Sequence, residues 1–439
     1  MKKWDISFGI IVIVNYIFVA FFFEIFGVNR NTYIYSICHS IMASILITQL
    51  KRNIKKGNNL SIGYLLLYVT TMYFQFSVIK YCRTDAFYGF SKDNGIRMKG
   101  TVIVFCVLFF TNLLMTFRPK KSVSLNIQVA RSKNYLLVSY LMSCILVLYY
   151  FIIRDYSNSI YINANYKVES IYVTILINFI TCLGIYFSTI TWNVKNPISL
   201  IPLIMDVVCF AYGSMKSGSR ASFFSYALLV LYMLVQANAI HVKCFTMAQI
   251  IAPWFMMIFT YFSFRISGRY TNNMFNVVAR NLAYRFDLSD LAINIMNNTS
   301  WIRHDFEEIV AGVQNCVPSI ISTKYKGFGA YKNMLLDAFL LPGVDYSDTF
   351  FSMGASVGGI VGMVLIIPIL YIIYEKIDYC LNNQGRVGTF VKMLSILCLV
   401  RIETEWISFI CEIRNLLLEI IIVLIIYYFV KTCKKCKFI

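Results

Sequence analysis

Residues 352–374 read SMGASVGGIVGMVLIIPILYIIY, and no charged side chain interrupts them. Coiled as a helix at about 1.5 Å per residue, a run of this length matches the hydrocarbon core of a bilayer. No water is present there, so the backbone must satisfy its own hydrogen bonds, and a single run this long does so as a helix. An outer-membrane barrel would instead show short segments of alternating polarity. The expected fold class is therefore all-α, a polytopic integral membrane protein.

Similar runs recur on either side. They predict further spans at 6–27, 32–50, 61–80, 101–117, 134–153, 170–190, 198–212, 221–238, 245–264, 389–409 and 415–430. That makes about twelve transmembrane helices in a single membrane domain, 1–439. Composition agrees. The 439 residues are 59% hydrophobic and only 14% charged, too few charges to clothe a soluble domain of this size. Met1-Lys2-Lys3 leads into the first run without a small-residue cleavage site, which predicts an uncleaved first helix rather than a signal peptide.

The net charge of +19 raises the question of nucleic acid. Its placement argues for no nucleic acid partner: much of it lies in short loops flanking apolar runs. There it sets topology and meets the headgroups of membrane lipid. Lys51, Arg52, Lys55 and Lys56 belong inside by this rule. So do Arg118, Lys120 and Lys121, and the tail with Lys431, Lys434, Lys435 and Lys437. Both termini are then cytoplasmic. One segment departs from the usual bias. Residues 265–351, the large outer (periplasmic) loop between the ninth and tenth spans, carry a basic excess on the outer face. Positive charge gathered there points to an anionic ligand. Within the loop Val278, Leu282, Leu288, Leu291 and Ile295 recur at helical spacing, which predicts short amphipathic helices on the outer membrane surface.

Four groups of residues could carry chemistry. Gly218-Ser219-Arg220 opens the eighth span, where free backbone NH groups and a planar guanidinium suit phosphate; an interface anchor is the plainer alternative. Arg265, Arg269, Arg280 and Arg285 follow the ninth span. Arg265 and Arg269 share a face if that helix continues, and a common anion would relieve their repulsion; headgroup binding is the alternative. His304, Asp305 and Glu308 offer general bases, His304 being the histidine placed outside; a solvated helix face is the alternative. Arg401, Glu403, Glu405, Glu412 and Arg414 near the last hairpin are expected to pair, because ionisable groups near a membrane interior are costly. Gly354, Gly358 and Gly362 read as small residues for close helix packing.

Thirteen cysteines are scattered mostly within spans, as small hydrophobes. Cys82 and Cys316 are candidates for an outer pair. Cys433 and Cys436 lack further ligands, so no metal is expected. No nucleotide-binding loop, zinc motif or serine nucleophile elbow occurs, which argues against an ATP-driven pump and a metal hydrolase.

Taken together, the dozen spans, the Gly-Ser-Arg opening a middle span, the large late outer loop with Val317-Pro318 and Lys324, and the glycine-rich next span resemble the O-antigen polymerases, the Wzy-type oligosaccharide repeat-unit polymerases of bacterial envelopes. The resemblance covers nearly the whole chain. It implies a metal-independent glycosyltransferase of the bacterial inner (cytoplasmic) membrane that needs no cofactor. Such an enzyme joins undecaprenyl-pyrophosphate-linked oligosaccharide units into O-antigen or capsular polysaccharide. Arg220, Arg265, Arg269, Arg280, Arg285 and Lys324 would bind the donor, while His304, Asp305 or Glu308 handles the acceptor hydroxyl. A chain-length regulator (co-polymerase) is the implied protein partner. A lipid-linked oligosaccharide flippase, an O-antigen ligase, and a general transporter or sensor are the competing readings.

Overall fold

The computed structural model describes residues 8–26, 32–55, 60–82, 93–117, 133–154, 171–192, 197–217, 220–266, 288–297, 349–382, 385–399 and 406–435, with the isolated positions 278, 282, 310 and 314. No strand occurs among them. The helices are α1 (Phe8–Phe26), α2 (Tyr33–Lys55), α3 (Ile62–Phe76), α4 (Asn94–Phe117), α5 (Lys133–Leu148), α6 (Ile171–Ile190) and α7 (Ile201–Ser217). They continue with α8 (Arg220–Gln236), α9 (Lys243–Ile266), α10 (Asp290–Asn297), α11 (Phe350–Asn382), α12 (Gly385–Leu399) and α13 (Trp406–Lys435).

Among the described residues, eight helices are long and apolar enough to cross a membrane; they lie in α2 to α7, α9 and α11. Shorter apolar helices occupy α1, α8 and α12. The distribution of polarity is that of a helical membrane protein. Leu137, Ile152 and Val361 are 70%, 72% and 61% exposed, while Asn15, Ser44 and Gln75 are buried. Those buried groups satisfy one another across α1, α2 and α3. Gln75 Nε2 donates to Asn15 Oδ1 at 2.6 Å, and Asn15 Nδ2 donates to Ser44 Oγ at 2.9 Å. Away from water such interhelical bonds hold helices together where apolar contact alone cannot distinguish helix from lipid.

α3 is the central helix, buried along its whole length. Its start receives carboxylates. Ser61 caps it, accepting from Tyr64 N at 3.0 Å and donating to Glu375 of α11, while Ile62 N approaches Asp378 Oδ1 at 3.4 Å. The positive end of the helix dipole favours both acids. Gly63 leaves the space Glu375 needs: a Cβ there would stand 2.5 Å from its Oε1. Lys392 of α12 completes the cluster, 2.9 Å from Asp378 Oδ1 and 2.5 Å from Asn382 Oδ1. Three helices are thus tied at one end of the bundle, called the lower end below.

The apolar run 352–374 does not form one straight span. α11 breaks at Gly358 and Gly359, where Gly359 takes φ +59° and ψ −140°. A side chain is not tolerated in that conformation, so only glycine serves. The short segment 350–357 turns back on the long one. A Cβ on Gly354 would lie 2.6 Å from Gly362 O, and one on Gly362 would collide with the Gly354 carbonyl. The glycines thus do permit a close approach, but within one chain across a reversal. Residues 360–382 remain long enough to span alone, at about 1.5 Å per residue.

In the segment 265–351, Val278, Leu282, Leu288 and Ile295 are buried. α10 packs into the bundle against α4 and α11. Its apolar face meets protein, where the sequence predicted a membrane surface. Apart from residues 265, 266, 310, 314 and 349–351, the rest of that segment lies outside the described residues.

Candidate functional site

The site is built at the end opposite the lower cluster, the upper end. Local contacts fix which termini meet there. Tyr68 donates to Phe245 O at 3.0 Å, so α3 and α9 start side by side and run parallel. Ser263 Oγ lies 3.3 Å from Met215 O, which joins the ends of α9 and α7. Phe223 stacks on Phe259 at 4.8 Å, joining the start of α8 to the same place. Phe151 stacks on Tyr212 at 4.2 Å, adding the end of α5.

Seven described basic residues stand at this end: Lys80, Arg97, Lys99, Arg154, Lys216, Arg220 and Arg265. Two are buried, Lys80 at 1% and Arg97 at 4% exposure. Full burial of cations is rare, which marks this pair. Lys80 ends the 3₁₀ turn Ser77–Cys82 that continues α3, and its Nζ donates to Ser289 Oγ at 2.6 Å, just before α10. Arg97 lies in the first turns of α4 and donates to Lys80 O at 3.0 Å and to Asn94 Oδ1 at 3.4 Å. Gly100 lets α10 come this close, since a Cβ there would stand 2.7 Å from Ile293 Cγ1. A cation near a helix start opposes the helix dipole. The positive ends of α4 and α8 therefore add to the side-chain charge.

Arg154 and Lys216 sit over aromatic rings. The Arg154 guanidinium is 5.5 Å from the Tyr150 ring centre, and Lys216 Nζ is 5.9 Å from that of Tyr212. Such cation–π contacts hold a charge at an interface while leaving it able to meet a further anion. Arg154 is presented by a π turn, Tyr149–Ile153, closed by its NH on Tyr149 O at 2.9 Å. Acidic groups at the same end include Glu24 and Asp93. Asp93 is engaged as a turn acceptor for Gly95 N at 2.8 Å. The arrangement can bind an anion between helix ends. A phosphate or diphosphate is the natural match for guanidinium groups combined with helix N-termini.

Of the residues singled out from sequence, Arg220 is the first residue of α8, and Arg265 is exposed in the last turn of α9. The fold brings both to the upper end. Arg269, Arg280, Arg285, His304, Asp305, Glu308 and Lys324 lie outside the described residues. So do Arg401, Glu403 and Glu405, and the pairing partner Cys316. Arg414 binds Asn415 Oδ1 through Nε and Nη2 at 3.2 and 3.1 Å. His39 is structural: its ring stacks on Phe74 at 4.4 Å and its Nε2 lies 2.6 Å from Phe74 O.

Sequence reasoning passed over Lys80 and Arg97. Each reads as an ordinary basic residue flanking a span, and their burial arises from α10, some two hundred positions away. It also passed over two carboxyls inside helices. Asp206 of α7 is fully buried beside Gly184, and Glu419 of α13 accepts from Asn178 Nδ2 at 2.8 Å. Both interrupt apolar runs, which was a usable signal.

Comparison of the chain with family models, curated proteins and solved structures finds no match.

Proposed function

We propose that this protein is a membrane-embedded glycosyltransferase that polymerises polyprenyl-diphosphate-linked oligosaccharide repeats. In this reading it lies in a bacterial cytoplasmic membrane with both termini inside and the upper end facing out. The observation that carries it is the gathering of Lys80, Arg97, Arg154, Lys216, Arg220 and Arg265 at one end of an apolar bundle. A diphosphate leaving group needs such cations, because negative charge builds on it as the glycosidic bond breaks. The donor arrives already activated, so the reaction needs no nucleotide. Deprotonation of the acceptor hydroxyl falls to His304, Asp305 or Glu308. A chain-length regulator is the expected protein partner.

The test is genetic. A deletion strain is complemented with Arg220→Ala or Arg265→Ala and its surface polysaccharide is sized. Both variants are expected to lose long chains, by about tenfold or more in amount, while single repeats persist. Wild-type length distributions from both would refute the reading. Cysteine labelling that put the upper end in the cytosol would do the same.

The buried Asp206 and Glu419 favour a second reading, a flippase for the same lipid-linked unit, since carboxyls inside spans often line transport paths. In that case the deletion strain would fail to expose single repeats at the outer face, a step that a polymerase leaves intact.

A further inference from the structure

A groove opens between α3, α8 and α9, with a volume of about 350 Å³. Tyr68, Phe223, Phe224 and Phe255 form its walls. Its floor is small: Ala227 on α8, with Ala248 and Ala252 one turn apart on α9. Larger residues at these three positions would fill it. Its lining carries no charged side chain. The side faces outward, for Ile251 and Phe255 are 51% and 41% exposed, on a surface that meets lipid in a membrane.

Its position along the bundle matters more than its apolarity. α8 descends from the upper end, so the groove begins one turn below Arg220 and runs to Leu231, about 12 Å at 1.5 Å per residue. α9 ascends beside it, and Arg265 stands at its top. Phe223 stacks on Phe255 at 5.7 Å and on Phe259 at 4.8 Å, closing the groove from directly above. A chain anchored at the upper end therefore enters sideways, past Phe255. This geometry suits an amphiphile with an anionic head at the rim and a hydrocarbon tail in the groove.

We infer that this groove seats the first units of the polyprenyl tail of the donor whose diphosphate the upper rim holds. The inference rests on the proposed function. Charge complementarity selects the head: Arg220 starts α8 and Arg265 lies in the last turn of α9, two of the three helices that bound the groove. The shape selects the tail. Small residues, Ala227, Ala248 and Ala252, leave the width beneath the aromatic walls that a methyl-branched chain needs. Pre-seating the tail also fixes the diphosphate at the rim, so binding energy remote from the reacting bond is used to position it.

The test uses the full chain in nanodiscs and four probes: inorganic pyrophosphate, geranyl diphosphate, undecaprenyl diphosphate and phosphatidylglycerol. Wild-type protein is expected to bind undecaprenyl diphosphate at least about tenfold tighter than geranyl diphosphate or phosphatidylglycerol. Ala227→Phe and Ala248→Phe fill the groove from its floor, one from α8 and the other from α9. Each should abolish that advantage and leave pyrophosphate binding unchanged. Equal affinity for the long and short prenyl chains in wild-type protein overturns the groove assignment, whatever the variants do. Equal affinity for phosphatidylglycerol overturns it too, as does a chain-length advantage kept in a folded filled variant. In those cases pyrophosphate still binds and the functional reading stands. Failure of all three diphosphates to bind takes down both.

Discussion

Replacing Gly362 with alanine is expected to abolish the native fold, with loss of monodisperse protein after extraction. The added methyl group would collide with the Gly354 carbonyl, which is backbone and cannot swing aside. The reversal is fixed further by Gly359 at φ +59°, so the two segments have no second way to separate. Relief would require moving the whole segment 350–357, in which Phe350, Phe351, Ser352, Ala355 and Ser356 are buried. A cost above about 4 kcal/mol is the scale of such strained substitutions. Gly354→Ala should act in the same direction. Val361→Ala, at an exposed neighbouring position, should leave yield and thermal unfolding unchanged. A wild-type melting curve for Gly362→Ala would show that the reversal is not a feature of the folded protein.

The second large effect is expected from Lys392→Met. Lys392 and Asp378 are both buried, with side chains 3% and 10% exposed, and are 2.9 Å apart. Removing the lysine leaves Asp378 as a buried acid at the start of α3. Breaking a buried pair by deleting one partner costs about 3–5 kcal/mol. The apparent Tm should fall by about 5 °C or more. Asp378→Asn alone strands the ammonium instead and should also destabilise. The double variant Asp378→Asn with Lys392→Met should regain much of the loss, because neither charge then remains. Strict additivity of the two single effects would mean the pair is not coupled.

Much of the fold was legible before any coordinates. Length and charge-free composition mark apolar helices without reference to their neighbours, and each predicted apolar run does contain a helix. Arg220 was legible for a similar reason: a helix start has a local signature. The break in α11 was less so. Gly358-Gly359 is a breaker in a soluble chain, yet glycine is common in membrane helices, so the pair was read as packing rather than reversal. The buried charges, at the site and in the lower cluster alike, were hidden in contacts between helices. Lys80 meets Ser289, and Asp378 meets Lys392, through contacts that no local pattern encodes. A lone lysine in the apolar run around Lys392 was the one available hint. The remaining candidates, from Arg269 to Lys324, rest on composition and resemblance.

The reversal in α11 also constrains how the protein is made. The turn itself lies open, with nothing within 4 Å of a Cβ built on Gly358 and with Ile360 and Val361 54% and 61% exposed, so its main-chain amides call for water and the reversal suits an edge of the bundle, not the oil of a bilayer core. Residues 350–357 are too few to be threaded across as a separate crossing. On this packing α4 and α10 must be in place before the hairpin can dock against them.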